Sequence, residues 1–343
     1  MDHAFYKTMK RPSIPLEIII EITGRCRQVC PYCTGPRIPD VPFKDLKTVL
    51  DEAADLKVKA IRITGGEPTL HPDFRQILAY AKSKKFSLIL NTSADTISPE
   101  AMKTIIATVD VAHVSLQGYD EKTNASYTRS KAAFLDKIKN IFLLKAYMQT
   151  LWIATVITPA KPVELFLPMI KKINPAAWLL QRPISETPEA LKKMDIAYFR
   201  ALALRILKIR RQKINAFISN PIPLCVAGNL QTGKEVFLGA QLDEGHLRIV
   251  HSAKGYFKPN YFLETNLGHS IQEAWQHPFL NDLNRTDYLP PICQRCPVLE
   301  ICRGGSRSMA LRAHGTALAA DPLFNPTAAA QALSKPYPKP SRP

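Results

Sequence analysis

Six short apolar runs recur along this chain, and between them apolar residues return every three or four positions. The runs at 16–22, 60–64, 87–91, 111–116, 151–157 and 177–180 have the length and β-branched content of strands. The stretches at 43–56, 73–82, 99–108, 132–147 and 163–171 have helical spacing. It is clearest in the first, where Leu46, Val49, Leu50, Ala53 and Leu56 share one face. Strands alternating with helices imply parallel βα units, because a parallel pair needs a crossover long enough to hold a helix. A further amphipathic helix near 195–214 would close this α/β domain, taken as 13–215 after an N-terminal extension at 1–12. The Pro-rich Asn220-Pro221-Ile222-Pro223-Leu224 then marks a boundary. A second region at 216–325 has its own cysteines, and 326–343 is expected to be a disordered Pro/Lys-rich tail.

Composition narrows the function. At 343 residues and 46% hydrophobic, the chain can bury one large core and a smaller one. No apolar run approaches the roughly 18–20 residues of a membrane span. Residues 1–11 hold no apolar signal segment, so a soluble cytoplasmic protein is expected. Seven cysteines, six of them in two tight groups, read as metal ligands rather than as a secreted disulfide framework. Lys and Arg outnumber Asp and Glu by 46 to 29, and the net charge of +17 favours acidic partners. That charge is dispersed. Its densest stretch (Arg205, Lys208, Arg210, Arg211, Lys213) alternates with Ile206, Leu207, Ile209 and Ile214, as on a solvated helix face. A basic nucleic-acid-binding metalloprotein therefore rests on charge alone, since no recognisable nucleic-acid module is present.

Cys26, Cys30 and Cys33 stand in C-x3-C-x2-C spacing directly after the first strand. A four-iron cubane normally takes four thiolates. Three on one short loop leave an iron open to bind a substrate or cofactor and pass it an electron. A structural zinc completed by a distant ligand, or three unrelated thiols, are the plainer readings. One βα unit later, Ile63-Thr64-Gly65-Gly66-Glu67-Pro68 ends the second strand in two glycines, where no Cβ keeps a ligand from the backbone. Alone it would pass for an ordinary strand-to-helix turn.

Together the triplet, Tyr32 within it and Gly65-Gly66-Glu67-Pro68 resemble the radical SAM enzymes. The resemblance implies an open, partial (β/α)6 TIM-like barrel with its active site at the C-terminal strand ends. It implies a [4Fe–4S] cluster on Cys26, Cys30 and Cys33 whose open iron binds S-adenosylmethionine, its amino group gripped by the strand end at Gly65, Gly66 and Glu67. Asn91 and Ser93, ending the third strand, match a turn that faces the cofactor. Ser115, ending the fourth, would hydrogen-bond the cofactor's carboxylate, and Arg129 would pair with it bidentately. A strand-capping serine and a surface arginine are the bland readings of those two. Gln117 stands where relatives carry Asp, which removes a charge. Reductive cleavage of the cofactor would then give a 5′-deoxyadenosyl radical that takes a hydrogen from the substrate. An external one-electron donor of flavodoxin or ferredoxin type is implied, and no catalytic side chain stands out.

Cys293, Cys296 and Cys302, with Cys225 upstream, resemble a SPASM or twitch-like domain, which normally holds two auxiliary [4Fe–4S] clusters. Here Ser306 occupies one usual cysteine position, and the cysteines expected near Val250–Ser252 and near Asp321 are absent. The resemblance thus implies a small cysteine-containing α+β C-terminal domain with one auxiliary Fe–S cluster on Cys293, Cys296 and Cys302. Its fourth ligand would be Cys225, Asp321, His251 or His314. A four-cysteine zinc site or an empty remnant is the alternative. SPASM relatives mostly modify ribosomally made peptides or proteins, the substrate class expected here. The second possibility is a small acidic molecule in cofactor biosynthesis, such as a tetrapyrrole.

Overall fold

The computed structural model describes residues 10–33, 35, 39–130, 134–184, 193–242 and 245–335. The six expected strands are β1 (Glu17–Glu21), β2 (Ala60–Thr64), β3 (Ser87–Thr92), β4 (Val111–Ser115), β5 (Thr150–Val156) and β6 (Ala177–Gln181), paired in parallel in that order. Helices Phe43–Asp55, Phe74–Ser83, Pro99–Thr108, Phe134–Tyr147 and Leu167–Ile173 lie between them. Local chemistry sets their ends. Ser98 accepts the Ala101 N–H at 3.1 Å and Pro99 opens the helix behind it, the pairing that suits an N-terminus.

Side chains alternate across each strand. Ile18, Ile20 and Ile22 turn toward the helices and join Leu46, Val49, Leu50 and Ala53 in the main core. Truncating one such fully buried leucine to alanine costs about 2–5 kcal/mol. Glu17 and Glu21 occupy the opposite face. One cavity is lined by residues of β1 to β6 and of a later strand, so the sheet curves round it as an open barrel.

The sheet continues past the boundary expected at residue 215. β7 (Ala216–Ile218) pairs with β6, β8 (Arg248–His251) lies parallel to β1 with Arg248 opposite Glu17, and β9 (Phe257–Lys258) runs antiparallel to β8. The strand order is β7-β6-β5-β4-β3-β2-β1-β8-β9. Without β8, the buried β1 would be left with a row of unpaired backbone groups. The Pro-rich segment is only the turn into a short 3-10 helix at Leu224–Ala227.

The tail departs from expectation too. Pro326–Leu333 is a helix, capped by Asn325 on the Ala328 N–H at 2.9 Å and burying Ala328, Ala329 and Ala332. Its alanine stripe outweighs the disorder signal of the Pro/Lys-rich end. Residues 336–343, like 1–9, lie outside the described residues. Among the described residues no helix is long and apolar enough to cross a membrane.

Candidate active site and cysteine centres

The barrel encloses a cavity of about 330 Å³. Its floor is apolar, where Ile89, Val111, Trp152, Ala177, Leu179, Phe217 and Leu238 form a second core inside the barrel. Above the floor the wall is charged. Arg62 Nε donates to Glu17 Oε1 at 2.6 Å and its Nη1 donates to Asn91 Oδ1 at 3.1 Å, while Arg248 Nη1 reaches Glu17 Oε1 at 3.4 Å. Burial alone would raise Glu17, but Arg62 and then Arg248 outweigh it and hold the carboxyl below its ordinary value. At Glu21 the balance reverses. Burial outweighs Lys258, and the carboxyl sits above its ordinary value.

The cysteine loop docks against Gly65 and Gly66. A Cβ on Gly65 would stand 2.3 Å from the Thr23 carbonyl, and one on Gly66 2.2 Å from that of Arg25. Gly66 N–H and Glu67 N–H donate to those same two carbonyls, each at 2.7 Å. On its other side, Val29 N–H donates to the Thr128 carbonyl at 2.9 Å, at the end of helix Glu121–Thr128. The Cys30 thiol donates to Gln28 Oε1 at 3.2 Å, and Gln28 Nε2 donates to Asp95. Asp95 is buried with Lys137 at 2.9 Å, and Lys137 also donates to the Ser115 carbonyl at 3.1 Å. Gln28, Asp95 and Lys137 thus fix the loop, and no spacing in the sequence announces them.

Tyr32, Cys33, Gly65, Asn91 and Ser115 line the cavity together. Glu67 is buried with both oxygens occupied. Thr69 Oγ1 and Thr92 Oγ1 donate to Oε1 at 2.8 Å each, and the Ser93 N–H and Oγ donate to Oε2 at 2.7 Å each. The glutamate and Ser93 therefore brace the ends of β2 and β3, and Gly65 is the residue of this strand end that lines the cavity. Gln117 is buried as well, accepting the Val156 N–H at 3.0 Å. Arg129 stands exposed at φ 49° after its helix and is not part of the cavity wall.

Burial pushes the Cys26 thiol up to about 11, with Glu67 and the other two thiols adding to it, and Cys30 is raised mainly by burial. Such thiols are poor nucleophiles at neutral pH. What would ionise them is a bound cationic centre, so the donor set suits metal ligation.

Cys225, Cys293, Cys296 and Cys302 line one small apolar pocket together with Leu230, Phe324, Ala329 and Leu333. Helix Pro326–Leu333 supplies part of its wall. The Leu224 N–H donates to Cys302 Sγ at 3.4 Å. Burial raises Cys225, with Cys302, Cys293 and Cys296 adding to it, and pushes Cys293 up to about 12. The other expected fourth ligands lie elsewhere. Asp321 is buried against Arg182, 3.3 Å from Nη1, and accepts the Ser306 N–H at 2.9 Å. His251 packs edge-on to Phe257 at 5.0 Å, and His314 is exposed at the end of helix Arg307–His314. Among the described residues no group of three or more His, Cys, Asp or Glu is gathered as a single ion would gather it. The thiols of each group are instead within electrostatic reach of one another.

Residues 20–173 match the family model of the radical SAM superfamily. That region is a radical SAM domain, and the superfamily it matches implies a [4Fe–4S] cluster and S-adenosylmethionine. The PqqA peptide cyclase of Methylocella silvestris is 26% identical, over 90% of this chain and 87% of that protein. That of Gluconobacter oxydans is 24% identical over 92% of each. In fold, Streptococcus suis SuiB bound to S-adenosylmethionine matches at a TM-score of 0.72 and 19% identity, over 90% of this chain and 76% of that one. The AdoMet-bound anSMEcpe matches at 0.72 and 16% identity, over 93% and 96%.

Proposed function

We propose that this chain matures a ribosomally made peptide by radical chemistry in the cytoplasm. The observation that carries the reading is the placement of the cysteine loop beside the barrel cavity, with Cys33, Tyr32 and Gly65 in its wall. Support comes from the PqqA peptide cyclases, which align over most of the chain. Cys26, Cys30 and Cys33 would hold the [4Fe–4S] cluster. When bound, the cluster and S-adenosylmethionine supply an electron and a 5′-deoxyadenosyl radical able to take hydrogen from an unactivated C–H bond. The Gly65–Gly66 backbone and Ser115 would orient that cofactor. The apolar floor at Trp152 and Phe217 excludes water beneath it. Cys225, Cys293, Cys296 and Cys302 would hold one auxiliary Fe–S cluster, and a flavodoxin or ferredoxin would deliver electrons.

A carboxylate-rich small molecule fits less well. The three arginines of the cavity wall are already paired, Arg62 and Arg248 with Glu17 and Arg182 with Asp321. Nucleic acid fits less well still. Helix Ile196–Arg211 buries Phe199, Leu202, Ala203, Ile206 and Ile209, and Arg210 lies over Phe217 at 4.4 Å. Its basic residues are the outer face of a packed helix.

The test is anaerobic incubation of reconstituted enzyme with S-adenosylmethionine, dithionite and synthetic PqqA peptide of Methylocella silvestris. Peptide-dependent 5′-deoxyadenosine and a peptide that has lost two hydrogens by mass spectrometry are expected. Cofactor cleavage with no change in the peptide would sink the peptide reading.

A further inference from the structure

The second half of the chain reaches back into the barrel. After β9, Asn260 Oδ1 accepts the Phe262 N–H at 2.7 Å and the Leu263 N–H at 2.8 Å, and Asn260 Nδ2 donates to Ser308 Oγ at 3.1 Å. This braced turn buries Leu263 and sets Tyr261 and Phe262 in the cavity wall beside Leu238 and Leu242. Tyr261 is only partly buried, so a molecule in the cavity can touch it.

One run of hydrogen bonds decides what Tyr261 offers. A guanidinium can only donate. Arg62 Nη1 lies 3.1 Å from Asn91 Oδ1, so the amide turns its oxygen to Arg62 and its nitrogen to Tyr261, 3.2 Å from the phenol oxygen. That nitrogen is itself a donor, so the Tyr261 oxygen accepts. The phenol proton then points elsewhere, and no acceptor among the described residues takes it. Burial pushes the phenol up to about 12 despite Arg62 and Arg248, which keeps the proton in place at neutral pH. In a cavity wall, such a donor is completed by a bound molecule.

From this we infer that Tyr261 binds the substrate: its O–H donates to a carbonyl oxygen of the bound peptide and so sets which C–H faces the cofactor. The inference rests on the peptide reading and adds a residue to it. A peptide backbone carries such an acceptor at every residue, and Leu238, Leu242 and Phe262 suit an apolar side chain next to it. Gly65 and Ser115, proposed above for the cofactor, end barrel strands. Tyr261 stands on the separate turn after β9, which assigns it to the other molecule the cavity must hold. Small errors of placement there are costly in radical transfer.

The experiment compares wild type and Tyr261→Phe as reconstituted holoenzymes, with synthetic PqqA peptide of Methylocella silvestris as the probe. Tyr261→Phe removes only the hydroxyl and should raise the peptide KM about three- to tenfold, the loss expected for one neutral hydrogen bond. The KM for S-adenosylmethionine and peptide-independent 5′-deoxyadenosine formation should stay within about twofold, a split that a general loss of structure would not produce. A rise in peptide KM below about threefold in an iron-replete variant overturns the inference and leaves the peptide reading standing. An equal rise in the KM for S-adenosylmethionine also overturns it, since the hydroxyl then serves the cofactor or the fold. If Tyr261→Phe fails to bind iron, Asn91→Asp decides. There Arg62 still holds one oxygen and the other takes the Tyr261 proton, so the peptide KM should rise although the hydroxyl is kept; an unchanged value overturns the inference. No conversion of the peptide by wild type overturns the peptide reading, and the role of Tyr261 with it.

Discussion

The three cysteines at the barrel mouth and the four of the C-terminal half have opposite surroundings. Cys26, Cys30 and Cys33 ride on a loop pinned by backbone hydrogen bonds to Gly66, Glu67 and Thr128, and the cavity beside them is walled with charge. Cys225, Cys293, Cys296 and Cys302 meet in an apolar pocket walled partly by helix Pro326–Leu333. A centre that must take a ligand needs an empty coordination position and access to it. One that only holds structure or passes electrons is complete and dry. On the function proposed above, thiol count and surroundings suit chemistry at the first group and support at the second.

Three results would break or sharpen the contrast. The largest effect is expected from Cys26→Ala/Cys30→Ala/Cys33→Ala. It should abolish cofactor cleavage and remove about four irons per chain, while leaving about four on the other group. Iron and sulfide analysis with chromatography of 5′-deoxyadenosine reads both; loss of all iron would mean the centres are not independent. Next comes Cys225→Ser, which should remove about four irons, keep peptide-independent cofactor cleavage and lower the melting temperature by several degrees. Zinc at about one per chain in wild type, lost in this variant, would instead make the second centre a zinc site.

The smallest effect concerns the scaffold the two centres share. His251 lies on β8, where the C-terminal half joins β1, and burial pushes its imidazole down to about 4. The folded pKa is below the unfolded value, so the unfolded chain takes up the proton first. Stability is then lost as pH falls from about 6.5 toward 4, at up to about 1.4 kcal/mol per unit. Urea midpoints at pH 7 and pH 5 should differ by up to about 2 kcal/mol more in wild type than in His251→Leu. An equal acid sensitivity would remove His251 from the account.

Much of this was legible in the residues. The six strands and the Leu46–Ala53 stripe follow from period, and both cysteine groups from spacing. What escaped was short or long-range. β8 has four residues and β9 two, too few for a pattern. Helix Glu121–Thr128 buries only Asn124 and Thr128, so no apolar stripe marks it. The Gln28–Asp95 contact and the bracing of Ser93 by Glu67 join residues distant in sequence, which no local window relates. Charges at Glu17, Glu21, Arg62 and Arg248 were visible within apolar runs. Only the curvature of the sheet turns them into one wall.

The pairing of β1 with β8 also has a consequence for how the molecule is made. Among the described strands β1 leaves the ribosome first, and the partner on its outer side follows more than two hundred residues later. At about 5–20 residues per second, that edge waits roughly 10–45 s. During that interval three consecutive isoleucines are exposed along an open strand, a template for aggregation. Glu17 and Glu21 flank them and act as gatekeepers before they serve the cavity. The strand that positions the first cysteine group is thus among the last to be locked, and a cluster held there would be best inserted after synthesis has passed residue 251.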